Sequence, residues 1–313
     1  MGKALFISNA DYARLCRLSS DIHVLAQDWY VEAASGDKEW KVLSAQDEEG
    51  RVVAALPLQF TRKLGFSAVL LPFLTQKNHI WTHPEVDRLY AIGLLLRNLK
   101  ELIRLRRILI VLFADELTPD EQILFLQFGF SLRQRTTYRI APTDDFVKKM
   151  KRGKKYKIHR ADSLFTLSET ADCQRFYAFL AENLASRGHQ VIFPSAVFCA
   201  IASQSIAHDS GRLLVAQDAD GKWAAGLFVV YDEHSLYYIM STYSATYSRL
   251  GALEWLSFQT IKMAQSMNLT FDFEGSDDPN IAIAYSRFGS EPHTYTSAQW
   301  YAAPIIRWLV GKK

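Results

Sequence analysis

The segment with the clearest chemical content is Phe271-Asp272-Phe273-Glu274-Gly275. In an extended strand alternate side chains take opposite faces, so Asp272 and Glu274 share one face and the two phenylalanines the other. Carboxylates on an otherwise apolar strand are costly unless something compensates them. A ligand is one compensation: a carboxylate can hold an ammonium ion or take its proton, which acyl transfer to an amine requires. A local role is the other, with either acid capping the next helix or pairing with a cation such as Arg287. Both readings stand at this level.

The second segment is Lys148 to Arg160, which holds eight Lys or Arg and one His with no acid. The whole chain carries only +3, so the remainder sums to −5 and the basic character is local. A protein that coats DNA spreads its positive charge more widely, and DNA is not an expected partner. Recognition of phosphates fits better, with Lys154, Lys155 and Arg160 gripping oxygens and Tyr156 stacking on a base. A solvated helix face is the alternative, although Gly153 weakens a helix there and uncompensated cations repel one another.

Other candidates are scattered. Arg187-Gly188-His189 reads as a loop, where Arg187 and His189 could contact substrate. Tyr238, Tyr243 and Tyr247 cluster on a strand and loop, where a phenol could protonate a leaving group; sheet packing is the alternative. Gln76, with Thr75, Asn78, His79 and Trp81, could line a cleft between two halves or form a plain loop. No metal-ligand spacing occurs among the histidines, and the chain lacks G-x-S-x-G, H-E-x-x-H, a Walker loop and G-x-G-x-x-G. Cys16, Cys173 and Cys199 are far apart, so neither a disulfide framework nor a zinc site is expected. A reduced cytoplasmic setting follows, with no transmembrane segment. The tail APIIRWLVGKK reads as a terminal helix docked on the core, or as a weak membrane-surface contact.

The elements that carry these residues occur twice. Residues 45–56, AQDEEGRVVAAL, and 216–227, AQDADGKWAAGL, share Ala, Gln, Asp, Gly, Ala and Leu at identical spacing. Each reads as strand, tight turn and strand, with Gly50 and Gly221 supplying the positive φ of the turn. A further strand follows in each, SAVLLPFL or SLYYIMST. Next come a helix pattern (86–105 or 248–267), an apolar strand (107–113 or 269–275) and a helix ending in Phe128-Gly129 or Phe288-Gly289. TTYRI or TYTSAQW closes each copy. The expected fold is mixed α/β: two tandem units over 1–147 and 148–313, each a mostly antiparallel sheet flanked by helices, with 300–313 free to pack back on the first.

This order of elements resembles the GNAT acyltransferase fold, and the tandem pair with a basic segment at its seam resembles the FemABX family of aminoacyl transferases. The residues that carry the resemblance are the run through Arg160-Ala161, Leu56-Pro57 and FDFEGSDDPNIAIAYSRFG, 271–289. The resemblance implies transfer of an activated acyl or aminoacyl group to an amine, a site in the second unit and none in the first. It implies acyl-CoA or aminoacyl-tRNA as co-substrate, with no tightly bound cofactor. GNAT units hold the coenzyme A pyrophosphate on a glycine-rich turn, to which Arg249 and Gly251 correspond. Fem-type enzymes place a catalytic Lys where this chain has Tyr285. Against this stands a non-catalytic module on the same scaffold that binds a nucleotide, RNA or another phosphate-bearing partner.

Overall fold

A computed structural model describes residues 5–63, 66–275 and 278–310. The chain divides into two compact units, Met1–Arg135 with Thr294–Lys313, and Thr136–His293.

The first unit runs β1 (Phe6–Ile7), α1 (Asn9–Leu18), α2 (Asp28–Ser35), β2 (Trp40–Gln46), β3 (Val52–Lys63), β4 (Phe66–Leu70), β5 (Trp81–Thr82), α3 (Arg88–Arg106), β6 (Ile108–Asp115), α4 (Pro119–Gln127) and into β7 (Ser131–Ile140). The chain then forms α5 (Phe146–Lys149), α6 (Arg152–Ala161), β8 (Thr166–Thr170), α7 (Cys173–Ala185), α8 (Ser195–Ala207), β9 (Gly211–Gln217), β10 (Trp223–Tyr231), β11 (Ser235–Tyr243), α9 (Ala252–Ser266), β12 (Thr270–Asp272) and α10 (Pro279–Ser286). It ends with β13 (Glu291–Tyr301) and α11 (Pro304–Val310).

In the first unit the strands lie in the order β1-β2-β3-β4-β6-β13, with β5 beside β3. In the second the order is β7-β12-β11-β10-β9-β8. Each sheet is antiparallel except for one pair, β4 with β6 and β11 with β12. The mixed, mostly antiparallel architecture expected from the sequence is therefore present. The turn of the repeated hairpin is built identically in both copies. Asp47 accepts from the amides of Glu49 and Arg51 at 3.1 and 2.9 Å, and Asp218 from those of Asp220 and Lys222 at 3.0 and 2.9 Å. Gly50 and Gly221 follow at φ 83° and 76°, a region closed to most side chains.

The division differs from the expected 147/148 at two places. The closing strands are exchanged in sequence terms: β7, whose last five residues belong to the second unit, pairs there with β12 through Arg139 and Ile140, whereas β13 pairs in the first with β6. Sequence order alone hides this, because each strand follows its own copy directly. Residues 294–313 belong to the first unit, yet Ile305 and Trp308 of α11 remain more than half exposed.

In the second unit α9 packs on the sheet through Trp255, Leu256, Ile261 and Ala264, against Phe271, Phe273 and Tyr238. Leu256, Ile261, Phe271 and Phe273 each contribute about 1.5–3 kcal/mol by this burial. The expectation of no disulfide is corrected: Cys173 and Cys199 are bonded, with Cα atoms 5.2 Å apart, and tie α7 to α8. Spacing along the chain could not reveal a pair that only helix packing brings together. Among the described residues no helix is long and apolar enough to cross a membrane.

Candidate functional site

The parallel pair of the second unit is short. Its register covers Ser235↔Thr270, Leu236↔Phe271 and Tyr237↔Asp272 and then ends, while β11 continues to Tyr243. The other chain turns away through Glu274 and Gly275, both at positive φ, 58° and 76°. The strands therefore splay. Beyond Tyr237, among the described residues, β11 has no partner strand on that side. A register slip between Phe228 and Val229 also leaves Ile239 without a partner on β10, a bulge that re-aims the strand at this point.

The splay opens a cavity of about 280 Å³. Tyr238 and Tyr243 of β11 form one wall, with Phe273 beyond the end of β12. Helix α10 supplies Ala284 and Tyr285, and α9 supplies Leu253, Glu254 and Ser257. Helix α6 brings Lys154 and Lys157, and Ser248 and Phe288 complete the lining. The aromatic rings pack on one another: Tyr285 stacks on Phe273 at 4.3 Å between centroids, and Tyr238 lies edge-on to Tyr285 at 5.9 Å. Burial pushes the Tyr285 hydroxyl far above the ordinary phenol range, so it stays protonated.

Lys154 is the unusual group. Its side chain is 10% exposed, and its ammonium lies 3.9 Å from Glu254 and 4.3 Å from the centre of the Phe288 ring. Desolvation lowers it to about 8, helped by the positive charges of Lys157 and Arg287 and opposed by Glu254. Glu254 lies nearer to Lys157, at 3.2 Å. Arg187 stacks its guanidinium over the Tyr243 ring at 4.4 Å, so two residues from distant segments meet at the wall.

The residues singled out in the sequence separate into two groups. Lys154, Tyr243 and Tyr285 line the cavity, and Arg187 reaches it through Tyr243. Asp272 and Glu274 do not line it. Asp272 is fully buried and accepts from Thr137 Oγ1, from Arg139 Nε at 2.8 Å and from the amide of Glu274 at 2.8 Å. The neighbouring strand β7 and the turn amide compensate its charge, the second of the two readings given above, and not a ligand. Glu274 is also buried, on the turn leaving the strand. Phe273 lines the cavity and Phe271 packs in the adjoining core, whereas Asp272 turns to Thr137 and Arg139 of β7.

Helix α6 divides the basic run in the same way. Lys154 and Lys157 face Glu254, whereas Tyr156 and Arg160 lie on the exposed face, the guanidinium 5.7 Å from the ring. Lys155 donates to the carbonyl of Lys148 at 3.3 Å. Among the described residues no carboxylate lies within ion-pair distance of Lys148, Lys151, Arg152, Lys155 or Arg160. His189 and Arg249 are exposed, and Gln76 is an exposed residue of the first unit. Gly251 has φ 80° and starts α9, but a Cβ there would lie 3.4 Å from the backbone carbonyl oxygen of Lys157. This turn is packed against α6 at ordinary contact distance. Glu254 and Lys157 were missed by the sequence reading. The available signal was that Glu254 is the lone acid of α9. Among the described residues no group of His, Cys, Asp and Glu could hold a metal ion.

Comparison with known proteins agrees with the geometry. Residues 146–280 match the family described as acetyltransferase (GNAT) domain. FemX is similar in structure over 97% of this chain and 98% of its own, with 12% identity and a TM-score of 0.71. The C-terminal domain (DUF2156) of a putative lysylphosphatidylglycerol synthetase from Agrobacterium fabrum is similar over 97% and 96%, with 12% identity and a TM-score of 0.60. A tandem GNAT protein from the clavulanic acid biosynthesis pathway is similar over 85% and 84%, with 13% identity and a TM-score of 0.55. No curated protein matches the sequence. The resemblance drawn from the residues is borne out at the level of the fold: residues 146–280 match a GNAT acetyltransferase domain, and nearly the whole chain has the fold of FemX.

Proposed function

We propose that the protein transfers an activated acyl or aminoacyl group to an amine, and that the reaction takes place in the cavity between β11 and β12. The observation that supports this most directly is the splay itself. It presents β11 backbone that has no partner strand on that side among the described residues, next to a cavity lined by two lysines, a glutamate and tyrosines, of which Tyr285 is kept protonated by burial. The reaction forms a C–N bond and breaks the bond from the acyl carbon to the sulfur or oxygen of the donor. The incoming amine loses a proton, for which Glu254 is the lining carboxylate, and the departing sulfur or oxygen gains one, for which Tyr243 or Tyr285 is suited. Amide N–H groups of β11 beyond Tyr237 would steady the oxyanion. Because the donor is already activated, holding both substrates in place supplies much of the rate.

The donor would carry phosphate, either as acyl-CoA or as aminoacyl-tRNA. Lys148, Lys151, Arg152 and Arg160, which have no ion-pair partner among the described residues, are its natural contacts. The packed turn at Gly251 weighs against a pyrophosphate bound in the usual GNAT manner, and it also favours a second reading, a non-catalytic module that binds a phosphate-bearing partner. Incubation with labelled acyl-CoAs and charged tRNA, with amide product read by mass spectrometry, tests the proposal. Amide formation that falls at least tenfold in Tyr285→Phe or Glu254→Gln supports it. Saturable binding of either donor with no amide product from any acceptor would establish the non-catalytic reading instead.

A further inference from the structure

We infer that this cavity recognises a carboxylate joined to an aromatic or branched apolar body, with Lys154 as the group that meets the carboxylate. The inference rests on the reading of the cavity as the reaction site only in assigning that ligand to one of the two substrates.

Three features of the geometry lead to it. More of the wall is apolar than polar: Phe273 stacks on Tyr285 and tilts against Phe288, which gives the cavity an aromatic face. A volume of about 280 Å³ suits a ring or a branched chain, not a long one. Into this space projects a nearly buried ammonium whose closest anion is 3.9 Å away, beyond hydrogen-bond reach. Glu254 is the one carboxylate among the described lining residues, and it lies nearer to Lys157 than to Lys154. Two lysines and one glutamate leave the lining with a net charge of +1, and Arg287 adds to the positive field at Lys154. A buried charge with incomplete compensation is costly, and a structure that needed only packing would place an apolar residue there.

The depressed proton affinity of Lys154 agrees with this placement, since the low polarity that weakens its ammonium is what a ligand anion would relieve. Binding of a carboxylate is then linked to protonation of Lys154. Affinity should hold below about pH 8 and fall above it, by up to tenfold per unit.

Calorimetric titration of the full chain with 3-phenylpropionate and with its neutral amide separates the alternatives. At pH 7 the carboxylate is expected to bind at least tenfold more tightly than the amide, with the preference fading by pH 9.5. Lys154→Met should abolish the preference without weakening the amide, and Lys154→Arg should keep it and extend it to higher pH. Equal affinity for the two probes, an undiminished preference in Lys154→Met, or no saturable carboxylate binding up to about 10 mM would each overturn the inference. The amide-forming assay on the same preparations distinguishes the two proposals. Turnover without carboxylate preference ends this one and leaves the transferase reading; preference without turnover does the reverse.

Discussion

Replacing Lys154 by methionine should make the protein more stable at neutral pH. The ammonium is lowered from 10.5 to about 8 by burial, with the attraction of Glu254 offsetting part of the effect. Each tenfold change in proton affinity corresponds to about 1.4 kcal/mol, so holding the charged form folded costs about 3 kcal/mol at most. Methionine fills a similar volume, keeps contact with the Phe288 ring and carries no charge, and Glu254 retains Lys157 at 3.2 Å. The expected gain at pH 7 is about 2 kcal/mol after allowing for local relaxation, or several degrees in Tm. The sign of the pH dependence follows from proton counting. Between about 8 and 10.5 the unfolded chain keeps the proton on Lys154 and the folded chain has lost it. The wild-type contribution therefore rises through this window, so the advantage of Lys154→Met is full below pH 7 and shrinks toward zero near 10.5. Urea unfolding of both proteins from pH 6.5 to 10 measures it. A variant that is less stable at pH 7, or whose difference does not change with pH, would refute the argument that Lys154 is held charged against its surroundings.

Three further outcomes follow from the same contacts. Asp272→Asn leaves Arg139 beside a neutral group and should cost about 2–4 kcal/mol in urea unfolding; a loss under about 0.5 kcal/mol would show that the buried pair is not structural. Reduction of the bond between Cys173 and Cys199, 26 residues apart, should lower stability by about 3 kcal/mol. Thiol titration in denaturant should find only Cys16 reactive before reduction, and titration of all cysteines beforehand would contradict the pairing. Glu254→Gln removes the attraction that raises Lys154, so the pH midpoint of carboxylate binding should move down by at least about half a unit; an unchanged midpoint would place Lys154 outside that equilibrium.

What could be read from the sequence, and what could not, divides along a physical line. Local signals carried through. The two D-x-x-G turns adopt the same hydrogen bonds, because an Asx side chain and a glycine two or three residues apart specify a turn without help from the rest of the fold. The helices at 88–106 and 252–266 follow their apolar period. The destination of a strand does not travel with its sequence: nothing in TTYRI or TYTSAQW states which sheet will accept it, and so the expected boundary missed both exchanges.

The site shows the same limit more sharply. Alternation was expected to put Asp272 and Glu274 on one face and the phenylalanines on the other, but β12 ends at Asp272 and Glu274 sits in the following turn at φ 58°, and which residues meet the cavity depends on α9 and α6 covering the aromatic side. Those helices also decide which cations of the run are exposed. Spacing within α6 sets Lys154 and Lys157 a turn apart on one side and Tyr156 with Arg160 on the other, yet only the presence of Glu254 on α9 shows that the first side faces inward. A charge run was therefore legible as chemistry, whereas its division into a nearly buried lysine and an exposed cationic face required the neighbouring helix. That division makes the two proposals separable, since donor phosphates would meet the exposed residues and a carboxylate the enclosed one. Charge reversal at Arg152 and Arg160 should flatten the salt dependence of donor binding and leave 3-phenylpropionate affinity within about twofold, while Lys154→Met should do the opposite. Loss of both affinities together in either variant would mean that α6 acts as one electrostatic surface, and the distinction drawn from its two faces would fail.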